Sequence, residues 1–205
     1  MEKESKNLGL AFYNALIESD LISDIPGIGH VYKAGKAAIT MRDELLRRKI
    51  EVFLDGVSEI PLNEHVKFLS QFESNEDRSR FGESLLMLID SLYQMEKVKL
   101  IDRLYRALAF GKINKQDFSI LCESVNKVFI ADLPILEKIY KTGKDAKNEA
   151  DMMAYSRLFN AGLLHDAPSR YDLVWSHGKP IAEENINKYG KLLVEIALQS
   201  NEETK

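Results

Sequence analysis

The sequence predicts a mainly α-helical protein, with a helical bundle over residues 1–129 and a carboxy-terminal module over residues 130–205 that carries a small β-hairpin. Apolar residues recur at three- and four-residue steps along most of the chain, the spacing that gives a helix one wet and one dry face. Gly, Pro, Asn and Asp fall at the breaks between these runs, where caps and turns need them. In the last quarter the stretch HDAPSRYDLVWSHGKPIAEEN loses the helical period and holds two prolines and the only tryptophan, as a loop or irregular hairpin does.

Leu8, Phe12, Ala15 and Leu16 mark a first helix, and Asp24 can cap a new one that starts at Ile25-Pro26. A long helix runs through MRDELLRRKIEVFLDGV, with Met41, Leu45, Ile50, Phe53 and Leu54 as its apolar stripe and Gly56 as its stop. After Pro61, Leu62, Val66 and Leu69 share one face of a short helix. The polar cluster ESNEDRSR separates it from FGESLLMLIDSLYQ, whose apolar positions cover nearly the whole circumference and predict a central helix. The helix through VKLIDRLYRALAF should end at Gly111, with Asn114 capping KQDFSILCESVNKVF and Asp132 capping LPILEKIYKTG. A further helix ends near YSRLFNAGLL, and Asn187 can cap a terminal helix with Leu193, Ile196 and Ala197 turned inward.

Composition narrows the function. At 205 residues, 45% hydrophobic and 29% charged, the chain has an ordinary globular composition, and a net charge of −4 argues against a protein that coats nucleic acid. No tract repeats at the period of about 20–50 residues that a solenoid needs. The lone Cys122 lies in an apolar helical run, so it reads as an inert buried thiol. The amino terminus lacks the features of a secretory signal and no run of 18 uncharged apolar residues occurs, which predicts a cytoplasmic location.

The stretch IPGIGHVYKAGKAAIT, residues 25–40, combines glycines with lysines but is no phosphate loop. Five residues separate Gly29 from Gly35, where a Walker loop has four, and Ala37 stands where the magnesium-binding hydroxyl belongs. Gly27-x-Gly29 lacks the third glycine of a dinucleotide fingerprint. Ala34, Gly35, Ala37 and Ala38 make a thin helix wall that suits close helix packing, while Lys33 and Lys36 leave a membrane-surface role for residues 25–40 as an alternative.

Catalytic groupings are equally sparse. The four histidines, His30, His65, His165 and His177, form no short metal motif; His165 and His177, with Asp166, are the best ligand set, and no metal or other cofactor is expected. LAFGKINKQDF lacks the acidic ligands of a calcium loop and reads as a helix-turn-helix corner. Adjacent acids such as Asp43-Glu44 diverge around a helix and read as solvated surface. The expectation is therefore a protein that is not an enzyme.

One module carries more. Leu158, Gly162, Leu163 and Leu164 end a helix in the pattern Leu-x-x-x-Gly-Leu-Leu, and Ile186, Asn187 and Gly190 lead through a capping residue into a helix with an early glycine. Over residues 130–198 the chain resembles winged-helix domains, and the resemblance implies a helix-turn-helix followed by a hairpin wing. DNA-binding members of such families place the second helix in the major groove. Here that helix would face Met152, Tyr155 and Leu158 inward and Glu149, Met153, Ser156, Arg157 and Asn160 outward. Residues 151–205 hold eight acids against six bases, a net charge of −2, which disfavours phosphate contact. Lys138, Lys141, Lys144 and Lys147 form a basic run just upstream. The candidate contacts for a partner or nucleic acid are Lys144, Lys147, Met153, Arg157, Asn160, Arg170 and Lys179. The expected function is that of a non-enzymatic regulator or adaptor that binds a protein partner, with a DNA-binding regulator and a membrane-surface effector as alternatives. The amino-terminal helices are similar to uncharacterised bacterial proteins of phage and mobile-element origin, through a proline-glycine opening and a long charged helix, which implies a setting in phage defence or counter-defence.

Overall fold

The computed structural model describes residues 41–142, 149–165 and 185–199. They form eight α-helices, and the one β pairing among the described residues is an isolated antiparallel bridge between Leu164 and Ile186. None of the described helices is long and apolar enough to cross a membrane. Residues 1–40, with the expected first helix and the glycine-rich stretch, and residues 166–184, with the expected hairpin, lie outside the described residues. The chain divides between Ile113 and Asn114 into two compact units.

The first unit contains α1 (Met41–Val57), α2 (Leu62–Leu69), α3 (Asn75–Ser91) and α4 (Met95–Ala109). Its central helix is α4, with ten of fifteen residues buried. Val98, Ile101, Leu104, Tyr105 and Leu108 repeat at helical spacing on the side packed by α1 and α2. The expected centre, FGESLLMLIDSLYQ, lies in α3, which buries Gly82, Leu85 and Ile89 but leaves Met87 in water. The cluster ESNEDRSR is no linker: Ser74 accepts a hydrogen bond from the Asp77 amide, and the helix starts inside the cluster at Asn75.

Aromatic contacts decide which face of α2 turns inward. Phe68 packs edge-to-face on Phe72, Phe81 and Tyr105, with ring centroids 5.1, 5.8 and 5.7 Å apart. Each such pair contributes roughly 0.5–1.5 kcal/mol beyond its buried area. The side chains carried inward are His65 and Phe68, so Val66, expected in the core, stands exposed. In α1 the inward residues are Ile50, Phe53 and Leu54, whereas Leu45 is half exposed. Gly56 does not end α1, which continues to Val57. Its missing side chain instead admits the Asp102 carboxylate from α4, whose Oδ2 lies 2.0 Å from where a Cβ would stand.

The second unit contains α5 (Lys115–Lys127), a 3-10 turn (Ile130–Asp132), α6 (Leu133–Thr142), α7 (Glu149–Asn160) and α8 (Lys188–Leu193), which runs on as a π turn (Val194–Leu198). Asn114 caps α5 by accepting from the Asp117 amide, as its place before the helix predicts. Two helix ends close in the same left-handed way. Gly111 has φ 68° with Lys112 donating to Ala107 O, and Gly162 has φ 78° with Leu163 donating to Leu158 O.

The turn after α7 is tied to the start of α8. Asn187 accepts from the Tyr189 and Gly190 amides and donates through Nδ2 to Gly162 O and Leu164 O. Its own amide donates to Leu163 O, and His165 N donates to Asn185 O. Gly190 allows the approach: a Cβ there would meet Leu163 O at 2.3 Å, a backbone atom that no rotamer change can remove. Gly111, by contrast, has open space around its missing side chain and is constrained by φ alone. Gly190→Ala is therefore expected to cost about 2–3 kcal/mol and Gly111→Ala about 1 kcal/mol. Urea-unfolding midpoints followed by circular dichroism check the order, and a Gly111→Ala protein less stable than Gly190→Ala would overturn this account of the corner.

Candidate functional site

The amphipathic period of α7 decides what it shows to solvent. Ala154, Tyr155 and Leu158 are buried on one side, continued by Ala161 in the turn, and Met152 is half-buried. Met153, Ser156, Arg157 and Asn160 share the other side at steps of three and four, with Met153 59% exposed and Asn160 exposed. Three of the sequence-predicted contacts, Met153, Arg157 and Asn160, thus lie on one helix face. The other four, Lys144, Lys147, Arg170 and Lys179, lie outside the described residues.

Arg157 is held rather than free. Its Nε donates to Asp132 Oδ2 at 2.7 Å and its Nη2 to Asp132 Oδ1 at 2.6 Å, a two-pronged grip on a carboxylate that is 3% exposed. The expected cap at Asp132 therefore gives way to a tertiary ion pair: both carboxylate oxygens are taken by Arg157. The hydrogen-bonded carboxylate raises the arginine's pKa further above its ordinary value.

The same guanidinium lies over the ring of Phe129, 5.4 Å from its centroid. Phe129 directly precedes the 3-10 turn and is 52% exposed. The expected helix KQDFSILCESVNKVF takes Phe129 as its last residue, but α5 ends at Lys127, so the exposure of Phe129 is set by the break that follows and not by the helical period. The signal that could have found it is the pairing of Phe129 and Asp132, which presents a ring and a carboxylate from one short turn. Together Phe129, Arg157, Met153 and Asn160 make a surface of one aromatic ring, one fixed cation, one flexible thioether and one amide.

Phe129, Met153, Arg157 and Asn160 carry no acid–base group that titrates near neutral pH. Among the described residues no group of three His, Cys, Asp or Glu could hold a metal ion. Cys122 is buried, and burial pushes its thiol well above the ordinary range. His65 is buried, and burial lowers its pKa. Of the His165, Asp166 and His177 set, only His165 lies within the described residues, where it is exposed. Of the basic run, Lys138 and Lys141 are exposed on α6, and Lys141 stands 3.9 Å from Glu137. Lys188 is spent on Asp117 at 2.7 Å.

Removing Arg157 strands the Asp132 carboxylate away from water. Arg157→Ala is expected to cost about 2–3 kcal/mol, less than a fully buried pair because the arginine side chain keeps 38% of its exposure. Arg157→Lys should restore little, since an ammonium cannot match the two-pronged geometry. Adding Asp132→Asn to Arg157→Ala should recover part of the loss. Thermal melts of the three variants read this directly, and an Arg157→Ala protein as stable as the wild type would contradict it. Comparison with known proteins yields no match to a family model, to a curated protein or to a solved structure.

Proposed function

We propose that the protein is a non-enzymatic regulator or adaptor, acting in the cytoplasm, that binds a protein partner through Phe129 and the outer face of α7. The observation that carries this reading is the exposure of two large apolar side chains, Phe129 at 52% and Met153 at 59%, around an arginine already fixed in place. Covering what remains exposed of each contributes roughly half the value for a full burial, about 1–1.5 kcal/mol. Aromatic residues, Met and Arg are the types enriched in the cores of protein interfaces. A pre-positioned guanidinium also loses less side-chain freedom on association.

The reading includes a winged-helix-like arrangement of the carboxy-terminal module. What supports it is the antiparallel bridge between Leu164 and Ile186, which brings together the chain ends on either side of residues 166–184, as a hairpin wing requires. Leu158, Gly162, Leu163, Leu164, Ile186, Asn187 and Gly190, the residues that carry the resemblance, meet at that bridge and the α8 cap.

Affinity capture from the native host, with and without nuclease treatment, tests the proposal. The wild type should retain a protein partner after nuclease, and the double substitution Phe129→Ser, Met153→Ser should reduce its recovery roughly tenfold or more if these side chains are hot spots. Because both side chains are solvent-exposed, the double variant should melt like the wild type. Loss of all partners on nuclease treatment, together with salt-sensitive duplex binding weakened by Lys144→Ala, would replace this reading with DNA binding. Sedimentation with anionic vesicles would point instead to residues 25–40.

A further inference from the structure

The α1–α4 interface, the most extensive helix contact of the first unit, contains a polar group that helix packing ordinarily excludes. The Asp102 side chain points from α4 into the notch left by Gly56 on α1, where both carboxyl oxygens and the carboxyl carbon lie 2.0–2.2 Å from the position of a Cβ. Asp102 is 7% exposed, and its Oδ1 is buried without a hydrogen-bond partner. The nearest cation, Arg106 Nε, stands 3.9 Å from that oxygen, and its guanidinium is turned to Glu59 in the α1–α2 turn. An ionised carboxylate in this position lacks the two or three donors that would offset its removal from water.

We propose that the α1–α4 interface is a pH-sensitive joint: a protonated Asp102 lets the Gly56 end of α1 seat on α4, and loss of that proton draws the carboxylate toward water and opens the end of α1. This device lies in the first unit and does not depend on the partner-binding surface.

The charges around Asp102 set the direction. Burial dominates and pushes its pKa from an ordinary 3.8 up to about 7; Arg106 and Arg103 from α4 oppose the rise, while Glu59 from the turn and Asp55 from α1 add to it. From α2 comes the buried His65, whose pKa is lowered by burial. With the folded value above the unfolded one, the contribution to stability is fully present below 3.8, is lost as pH rises to about 7, and is level beyond.

Hydrogen exchange of the full chain between about pH 5.5 and 8.5, corrected for intrinsic rates, tests the joint in segments 50–60 and 98–109. In the wild type, opening of these segments should increase by roughly tenfold per pH unit up to about 7 and then level off. In Asp102→Asn this rise should be absent. Equal opening at all pH values in the wild type, or the same rise in Asp102→Asn, overturns the proposal. Should Asp102→Asn fail to fold, the carbon-13 carboxyl shift of wild-type Asp102 decides: titration near 7 supports the joint, and titration in the ordinary carboxylate range overturns it.

Discussion

A carboxylate buried between helices needs donors, and in the second unit Asp132 finds both of them on one side chain. The two-pronged grip of Arg157 fixes more than a charge. It sets the rotation of α7 about its axis, because Arg157 reaches Asp132 only when Ala154 and Leu158 turn inward. It also fixes the place of the short turn that carries Phe129, since Asp132 ends that turn. The exposed surface follows from the buried contact: Phe129 meets the guanidinium because Asp132 has already located it, and Met153 lies one helical turn before Arg157 on the same face. A weaker anchor, such as a single neutral hydrogen bond at about 1 kcal/mol, would leave these side chains less firmly arranged.

The two units treat buried polarity differently. In the second, Asp132 is paired with Arg157, Asp117 with Lys188 and the Asn114 amide, and Asn187 uses its side chain both to accept and to donate. The buried side-chain atoms left without a hydrogen bond among the described residues, on His65, Arg78, Gln94 and Asp102, all belong to the first. An unmade hydrogen bond at a buried group costs about 1–3 kcal/mol. The first unit is held instead by apolar contact, with Phe53, Phe68, Phe72, Phe81 and Tyr105 forming one edge-to-face cluster. Apolar packing has no preferred protonation state, so any sensitivity to pH in that unit concentrates on its few unmatched polar groups.

What the sequence made legible is largely local chemistry. Gly111 and Gly162 adopt left-handed backbone at helix ends, and Asn114 and Asn187 accept from the amides that follow them, because each role involves only residues within a few positions. Helical periodicity likewise gathers Met153, Arg157 and Asn160 on one face. The misreadings arise where a distant group competes. Asp132 has the position of a cap, yet an arginine 25 residues away takes both its oxygens. Gly56 has the position of a stop, yet it serves as a notch for Asp102. On α2 the even spacing of Leu62, Val66 and Leu69 suggests one inward face, but three aromatic rings converge on Phe68 and turn the helix to bury it. Phe129 closes the expected helical run from Lys115, yet the helix stops at Lys127 and the ring stands in the turn beyond it.

The proposed partner-binding role and a DNA-reading role use Arg157 differently. To grip the edge of a guanine, the guanidinium must present two parallel N–H groups. The Nε and Nη2 that form one such fork are already committed to Asp132. The guanidinium carries five N–H donors, so the end-on fork of Nη1 and the second Nη2 hydrogen is not taken by Asp132, and the grip orients that fork rather than consuming it. A protein surface laid over Phe129 and Met153 asks nothing of that fork. It covers apolar area already exposed, leaves the ion pair intact, and shields it further from water, which strengthens the attraction between its charges.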